Sequence, residues 1–182
     1  MVYNLESYTP KPGESFLFDT NIWIYLYSPV TSYHYALTDK FSSFMWKCIE
    51  NRCNIYITSL ILSEFYNTVL RIEFKNNTNK HFKNSFRNNQ HLTEDISFIM
   101  EKCILEKAVK LDDSFSNIDL TGIKPEYDFN DYYLAKLCEK YNIKIVTNDT
   151  DFKQFSDIVD IIMLDCDYLK KTKQKISKME VL

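Results

Sequence analysis

The chain has 182 residues, 45% hydrophobic and 15% aromatic, enough for the core of one ordinary domain and too few for two comfortable ones. A net charge of −3 excludes a protein that coats nucleic acid by bulk electrostatics, which shows as a strongly basic domain, but suits an acidic cluster that captures divalent cations. Five cysteines, at 48, 53, 103, 138 and 166, form no CxxC pair, which argues against a disulfide framework or zinc knuckle and for reduced, mostly buried thiols in a cytosol.

Residues 1–14 are polar with two prolines and read as a loosely held N-terminal extension, without the basic region and apolar run of a secretory leader. No stretch approaches the ~18 apolar residues that span a bilayer, so a soluble, cytoplasmic protein with no membrane partner is expected. Ser15 to Asp19, SFLFD, is the first strand, apolar in its middle as a central parallel strand should be. Asp19 stands at its C-terminal end, and Thr20-Asn21 leads into an aromatic turn, IWIYLY. A helix over Leu37 to Glu50 turns Leu37, Phe41, Phe44, Met45, Cys48 and Ile49 inward. Asn54 to Thr58 is the second strand. Ser59 can cap the helix that follows, where Glu64 sits just over one turn in, among the apolar Leu60, Ile61, Phe65 and Val69.

From 71 to 90 the character changes. Arg71, Lys75, Lys80, Lys83 and Arg87 interleave with Phe74, Phe82 and Phe86, a pattern that can hold a phosphate backbone and stack bases, or equally form a solvated helix pair with its aromatics turned inward. A further helix begins near Thr93, with Ile96, Ile99, Cys103, Ile104 and Ala108 inward. Leu111 to Pro125 is loop-like, with a short strand near Asn117 to Leu120.

Tyr127 to Phe152 organises the rest. Leu134, Leu137, Cys138 and Tyr141 repeat at helical spacing. Asp128 or Asn130 supplies the N-cap, placing Asp131 in or beside the first turn. Ile143 to Thr147 is short, β-branched and apolar, a buried strand, and Asp149 lies just beyond it. Ile158 to Leu164 is the last strand, and residues 166–182 form a Lys-rich tail.

Strands alternating with helices predict an α/β domain with a mainly parallel sheet. In βαβ units a crossover helix begins at the edge where the preceding strand ended, and the next strand runs back to that edge. Asp19, Glu64, Asp131 and Asp149 should therefore converge at the C-terminal edge, where ligands of open α/β sheets bind. Singly, each has an ordinary explanation: an Asx-turn, an exposed helical charge, a helix N-terminus, a turn residue. Jointly, four acids at equivalent ends of alternating elements repel one another unless hard cations with oxygen preference, Mg²⁺ or Mn²⁺, offset the charge. His34, His81 and His91 fall in loop or variable regions, so no Ser-His-Asp or Cys-His arrangement is apparent. The two glycines rule out a Gly-rich phosphate loop.

FLFDTNIWIYLY, TSLILSEF and NDYYLAKLCEKYNIKIVTNDTDF resemble the three signature segments of the PIN domain, the metal-dependent nuclease fold of VapC-type toxins and RNA-processing nucleases. The resemblance covers about Ser15 to Leu164, with residues 15–165 as the PIN-like domain, its sheet wrapped by helices. It implies Asp19, Glu64, Asp131 and Asp149 as the acidic quartet, Asn21, Ser59 and Thr147 as hydrogen-bonding support, and Asp151 as an additional ligand or outer group. It further implies an endoribonuclease using one or two Mg²⁺ or Mn²⁺ ions, with RNA as substrate, an antitoxin protein as partner and a homodimer. Two alternatives stay open: a structure-specific DNA nuclease, and a non-catalytic module that binds RNA or protein. The 71–90 stretch is not part of the signature.

Overall fold

The computed structural model describes residues 1–28, 35–76, 90–114 and 118–164, the side chains of residues 75 and 76 excepted. Its strands are β1 (Val2–Asn4), β2 (Ser15–Phe18), β3 (Asn54–Ile57), β4 (Val109–Lys110), β5 (Lys144–Val146) and β6 (Ile161–Met163). Its helices are α1 (Thr20–Tyr27), α2 (Tyr35–Glu50), α3 (Ser59–Asn76), α4 (Gln90–Phe98) and α5 (Phe129–Tyr141), with a π-helical turn at Ile99–Ile104 and a 3₁₀ helix at Thr150–Phe155. Residues 80, 81, 83, 87 and 166–182, on which several sequence expectations fall, lie outside the described residues, as do His34, Phe82, Phe86 and Asn117.

The strands form one six-stranded sheet in the order β1-β6-β5-β2-β3-β4, parallel throughout. The short apolar runs sit at its centre: Leu17 faces Ile145 on one side and Tyr56 on the other, and Phe16, Leu17 and Phe18 are fully buried. α1 packs against both α2 and α3, and α5 against β5 and the 3₁₀ helix. Because all strands run one way, Phe18, Ile57, Val146 and Met163 all end at the same edge. This is an α/β fold. Among the described residues no helix is long and apolar enough to cross a membrane.

Several elements differ from the sequence reading. The N-terminal segment, expected to be loosely held, is part of the sheet: Val2 to Asn4 pair with Ile161 to Met163. Leu5 is 2% exposed and its N–H donates to the Met163 carbonyl at 2.8 Å. Tyr8 packs its ring against Phe16 and Phe44 and donates its hydroxyl to Glu14. The aromatic turn after Asp19 is a helix. Ile22 and Trp23 are fully buried, Trp23 Nε1 donates to the Phe18 carbonyl, and this burial outweighs the modest helix propensity of aromatic and β-branched residues. Residues 109–110, read as lying between helix and loop, add an edge strand to β3, while Ile118 to Leu120 form none. The capping oxygen of α3 is Thr58 Oγ1, which accepts from the Ile61 N–H, and Ser59 is the first helical residue. Ile49 and Tyr141 face outward.

Candidate active site at the acidic edge

Each acid reaches the edge by a local rule. Asp19 follows β2, N-caps α1 by accepting from the Thr20 N–H, and is 7% exposed. Asp128 caps α5 through the N–H groups of Asn130 and Asp131, which sets Asp131 in the first turn, half-buried. Asp149 follows β5 and caps the 3₁₀ helix by accepting from the Asp151 N–H. Glu64 rises from the second turn of α3 and accepts from Thr20 Oγ1 at 2.8 Å. Glu64, Asp149 and Asp151 are exposed.

Thr147 ties these together. Its hydroxyl donates to Asp19 Oδ2 at 2.7 Å and accepts from the Asn21 amide at 3.1 Å and from the Asp149 N–H at 3.0 Å. Asn21 also donates to Asp19 Oδ2, and its Oδ1 accepts from the Asn148 N–H. The side chain of Asn148 in turn donates to the Tyr25 hydroxyl. Of the expected supporting residues, Asn21 and Thr147 thus touch Asp19. Ser59 is exposed, and its N–H donates to Asp113 Oδ2 at the start of α3.

The electrostatics are those of a crowded anionic site. Burial pushes the Asp19 carboxyl up to about 6; hydrogen bonds from Thr147 and Thr20 oppose this, and the charges of Glu64 and Asp149 add to it. Burial, followed by the charges of Asp19, Asp128, Asp149 and Glu64, lifts Asp131 to about 7. Asp131 is therefore within electrostatic reach of the other three acids, and Asp19 within reach of Glu64 and Asp149. None has an ion-pair partner among the described residues, where cations pair instead with Glu6, Glu14, Glu94, Glu106, Glu139 and Asp160.

An all-carboxylate donor set with uncompensated charge suits a hard divalent ion. Among the described residues, however, no three His, Cys, Asp or Glu side chains stand ready as one ligand group. The acids face a common edge with their oxygens apart. A cavity of about 510 Å³ opens at the other end of the sheet, lined by Cys138, Lys144, Asp157 and Asp160 among others, and holds none of these acids.

Of the basic residues singled out, Arg71 is exposed on α3; the Lys75 side chain and Lys80, Lys83 and Arg87 lie outside the described residues. The sequence reading missed Thr20, Tyr25 and Asn148. Only the first carried a detectable signal, a hydroxyl immediately after a capping aspartate; Tyr25 and Asn148 meet across 123 residues of chain.

The sequence model of the PIN domain matches residues 16–158. No curated protein and no solved structure matches the chain.

Proposed function

The chain belongs to the PIN domain family, a nuclease fold, and on that premise we propose that it is a metal-dependent endoribonuclease, the toxin of a toxin–antitoxin pair. The observation that carries the reading is the set Asp19, Glu64, Asp131 and Asp149, gathered at the C-terminal edge of a parallel sheet without a neutralising cation among the described residues. One or two Mg²⁺ or Mn²⁺ ions would be held by these four acids, with Asp151 as an additional ligand. When bound, such an ion supplies Lewis-acid chemistry, activating water for in-line attack on phosphorus and stabilising charge on the leaving 3′-oxygen.

The protein's own groups do the rest. Thr147, Asn21 and the Thr20 N–H hold both oxygens of Asp19, so that carboxylate is fixed before any ligand arrives. Glu64 and Asp149 are exposed, and one of them would accept a proton from the attacking water. Arg71 lies two helical turns beyond Glu64 on α3, where it would meet a phosphate of the same strand. Lys75, Lys80, Lys83 and Arg87 would extend that contact, and Ser59 would support the edge beside Asp113. The antitoxin would occlude the acidic edge, and the toxin would act as a homodimer in the cytoplasm.

The test is cleavage of a mixed RNA and single-stranded DNA panel with Mg²⁺, Mn²⁺ or EDTA, with Asp149→Asn purified in parallel. Metal-dependent cutting of RNA that the variant lacks supports the proposal. Faster cutting of flap or branched DNA replaces the substrate, and no cutting together with no Mn²⁺ binding leaves a binding module. Growth arrest on expression, absent for Asp131→Asn, supports the toxin role, and indifferent growth counts against it.

A further inference from the structure

Resting on that nuclease reading, we infer that Tyr25 and Asn148 form a positioning pair: they lock the loop carrying Asp149 onto α1 and thereby set the affinity of the acidic edge for its divalent ion. Asn21 and Tyr25 are four residues apart on α1, so they lie on one helical face. Both hold Asn148. Asn21 Oδ1 accepts from its backbone N–H at 3.1 Å, and the Tyr25 hydroxyl accepts from its Nδ2 at 3.1 Å. The next residue is Asp149, whose N–H donates to the Thr147 hydroxyl that also serves Asp19. Two consecutive residues of the loop, Thr147 and Asn148, are thereby fastened to α1 or its cap, and the third, Asp149, is held to Thr147.

The Tyr25 end of this clamp is itself rigid. Its ring stacks on Phe41 of α2, with centroids 5.8 Å apart and planes at 15°. Burial pushes its hydroxyl above the usual phenol range; the hydrogen bond from Asn148 opposes this, and the charges of Asp19 and Asp149 add to it.

Asn148 also carries a cost that stability alone does not explain. Its Oδ1 is, among the described residues, the one buried side-chain polar atom without a hydrogen-bond partner. Such a group costs about 1–3 kcal/mol. Turning the amide over would satisfy Oδ1 through the Tyr25 hydroxyl but leave the NH₂ unpaired instead. An apolar side chain would avoid the cost, and would also lose the tie to Tyr25. A polar side chain kept beside the acids despite an unsatisfied oxygen suits an outer positioning group.

The experiment is Mn²⁺ calorimetry and RNA cleavage kinetics on wild type, Tyr25→Phe, Asn148→Ala, the double variant, and Tyr8→Phe. The last loses a hydroxyl bond to Glu14 far from the acids and serves as control. Loss of a group bonded directly to a ligand weakens metal binding about 10–100-fold; Tyr25 and Asn148 bond no acid directly, so each single variant should bind Mn²⁺ roughly three- to tenfold more weakly. The double variant should be no worse than the weaker single, the RNA KM should be unchanged, and excess Mn²⁺ should restore kcat. The control should match wild type. Tyr25→Phe keeps the ring on Phe41 and gives the reading if Asn148→Ala fails to fold. Unchanged Mn²⁺ affinity in the variants of a wild type that cuts, or losses that add, overturns the pair and leaves the nuclease standing. A wild type that neither binds Mn²⁺ nor cuts overturns the nuclease reading, and the pair falls with it.

Discussion

In the metal-free protein, Asp131→Asn is expected to increase stability above neutral pH. Burial and the charges of Asp19, Asp128, Asp149 and Glu64 move the Asp131 carboxyl from its ordinary 3.8 to about 7. The folded state therefore holds this proton more tightly than the unfolded chain. Its contribution is complete below 3.8 and is lost as the pH rises through about 7. At ~1.4 kcal/mol per unit the whole displacement is worth ~4 kcal/mol. Asp131 titrates against the charge of Asp19 and is partly open to water, so ~2 kcal/mol is expected to appear. For 182 residues this is a rise of about 4–8 °C in melting temperature. Urea and thermal unfolding in EDTA, from about pH 8 downward, measure it. The Asp131→Asn protein should be the more stable at about pH 8 by ~2 kcal/mol, with the gap narrowing below 7 and closing near 3.8. A gap independent of pH, or a wild type more stable at alkaline pH, would refute the crowded-anion account.

Three further outcomes are expected. Thr147→Val keeps the shape but leaves Asp19 and the Asn21 amide short of a partner, and should lower unfolding stability by about 2 kcal/mol at neutral pH. It should also raise the Asp19 carboxyl further, visible as Mn²⁺ binding that begins at higher pH. Asp113→Ala leaves the Thr58 cap in place but removes the carboxylate that accepts from the first N–H groups of α3, those of Ser59 and Leu60, and should lower stability by about 1 kcal/mol in the same assay. Leu5→Ala should cost about 2–5 kcal/mol, whereas a loosely held N-terminal segment would show no change on urea unfolding.

The parts that could be read from sequence are those where a local pattern and the tertiary fold agree. SFLF, NIYI and the run at 143–147 are strands because they are short and apolar and lie at the centre of the sheet, where both neighbours bury them. Asp128, Asp131 and Asp149 were placed by capping and turn chemistry acting over a few residues. The failures involve partners distant in sequence or weak local signals. Val2–Asn4 is a three-residue strand whose reason for existing is Ile161 to Met163. Val109–Lys110 is an exposed two-residue edge with no alternation to detect. Glu64 stands in an apolar turn, yet is exposed while its neighbours Ile61 and Phe65 are buried, and its partner, the Thr20 hydroxyl, lies 44 residues away in sequence. Periodicity reports which face is buried, not where the open edge lies.

The sheet order also governs how the chain assembles. β5 lies between β2 and β6, so Leu17 waits for a neighbour, Ile145, that the ribosome supplies far later. At about 5–20 residues per second the delay between these strands is roughly 6–25 s. Throughout it the strongest apolar strand of the nascent chain has one open edge, which makes this interval the period of greatest aggregation risk. The first strand closes last, since Val2 pairs with Ile161. A nascent chain halted before Thr147 carries Asp19, Glu64 and Asp131 but lacks the hydroxyl that binds Asp19 to the loop of Asp149. The acidic edge is therefore completed only when the sheet closes.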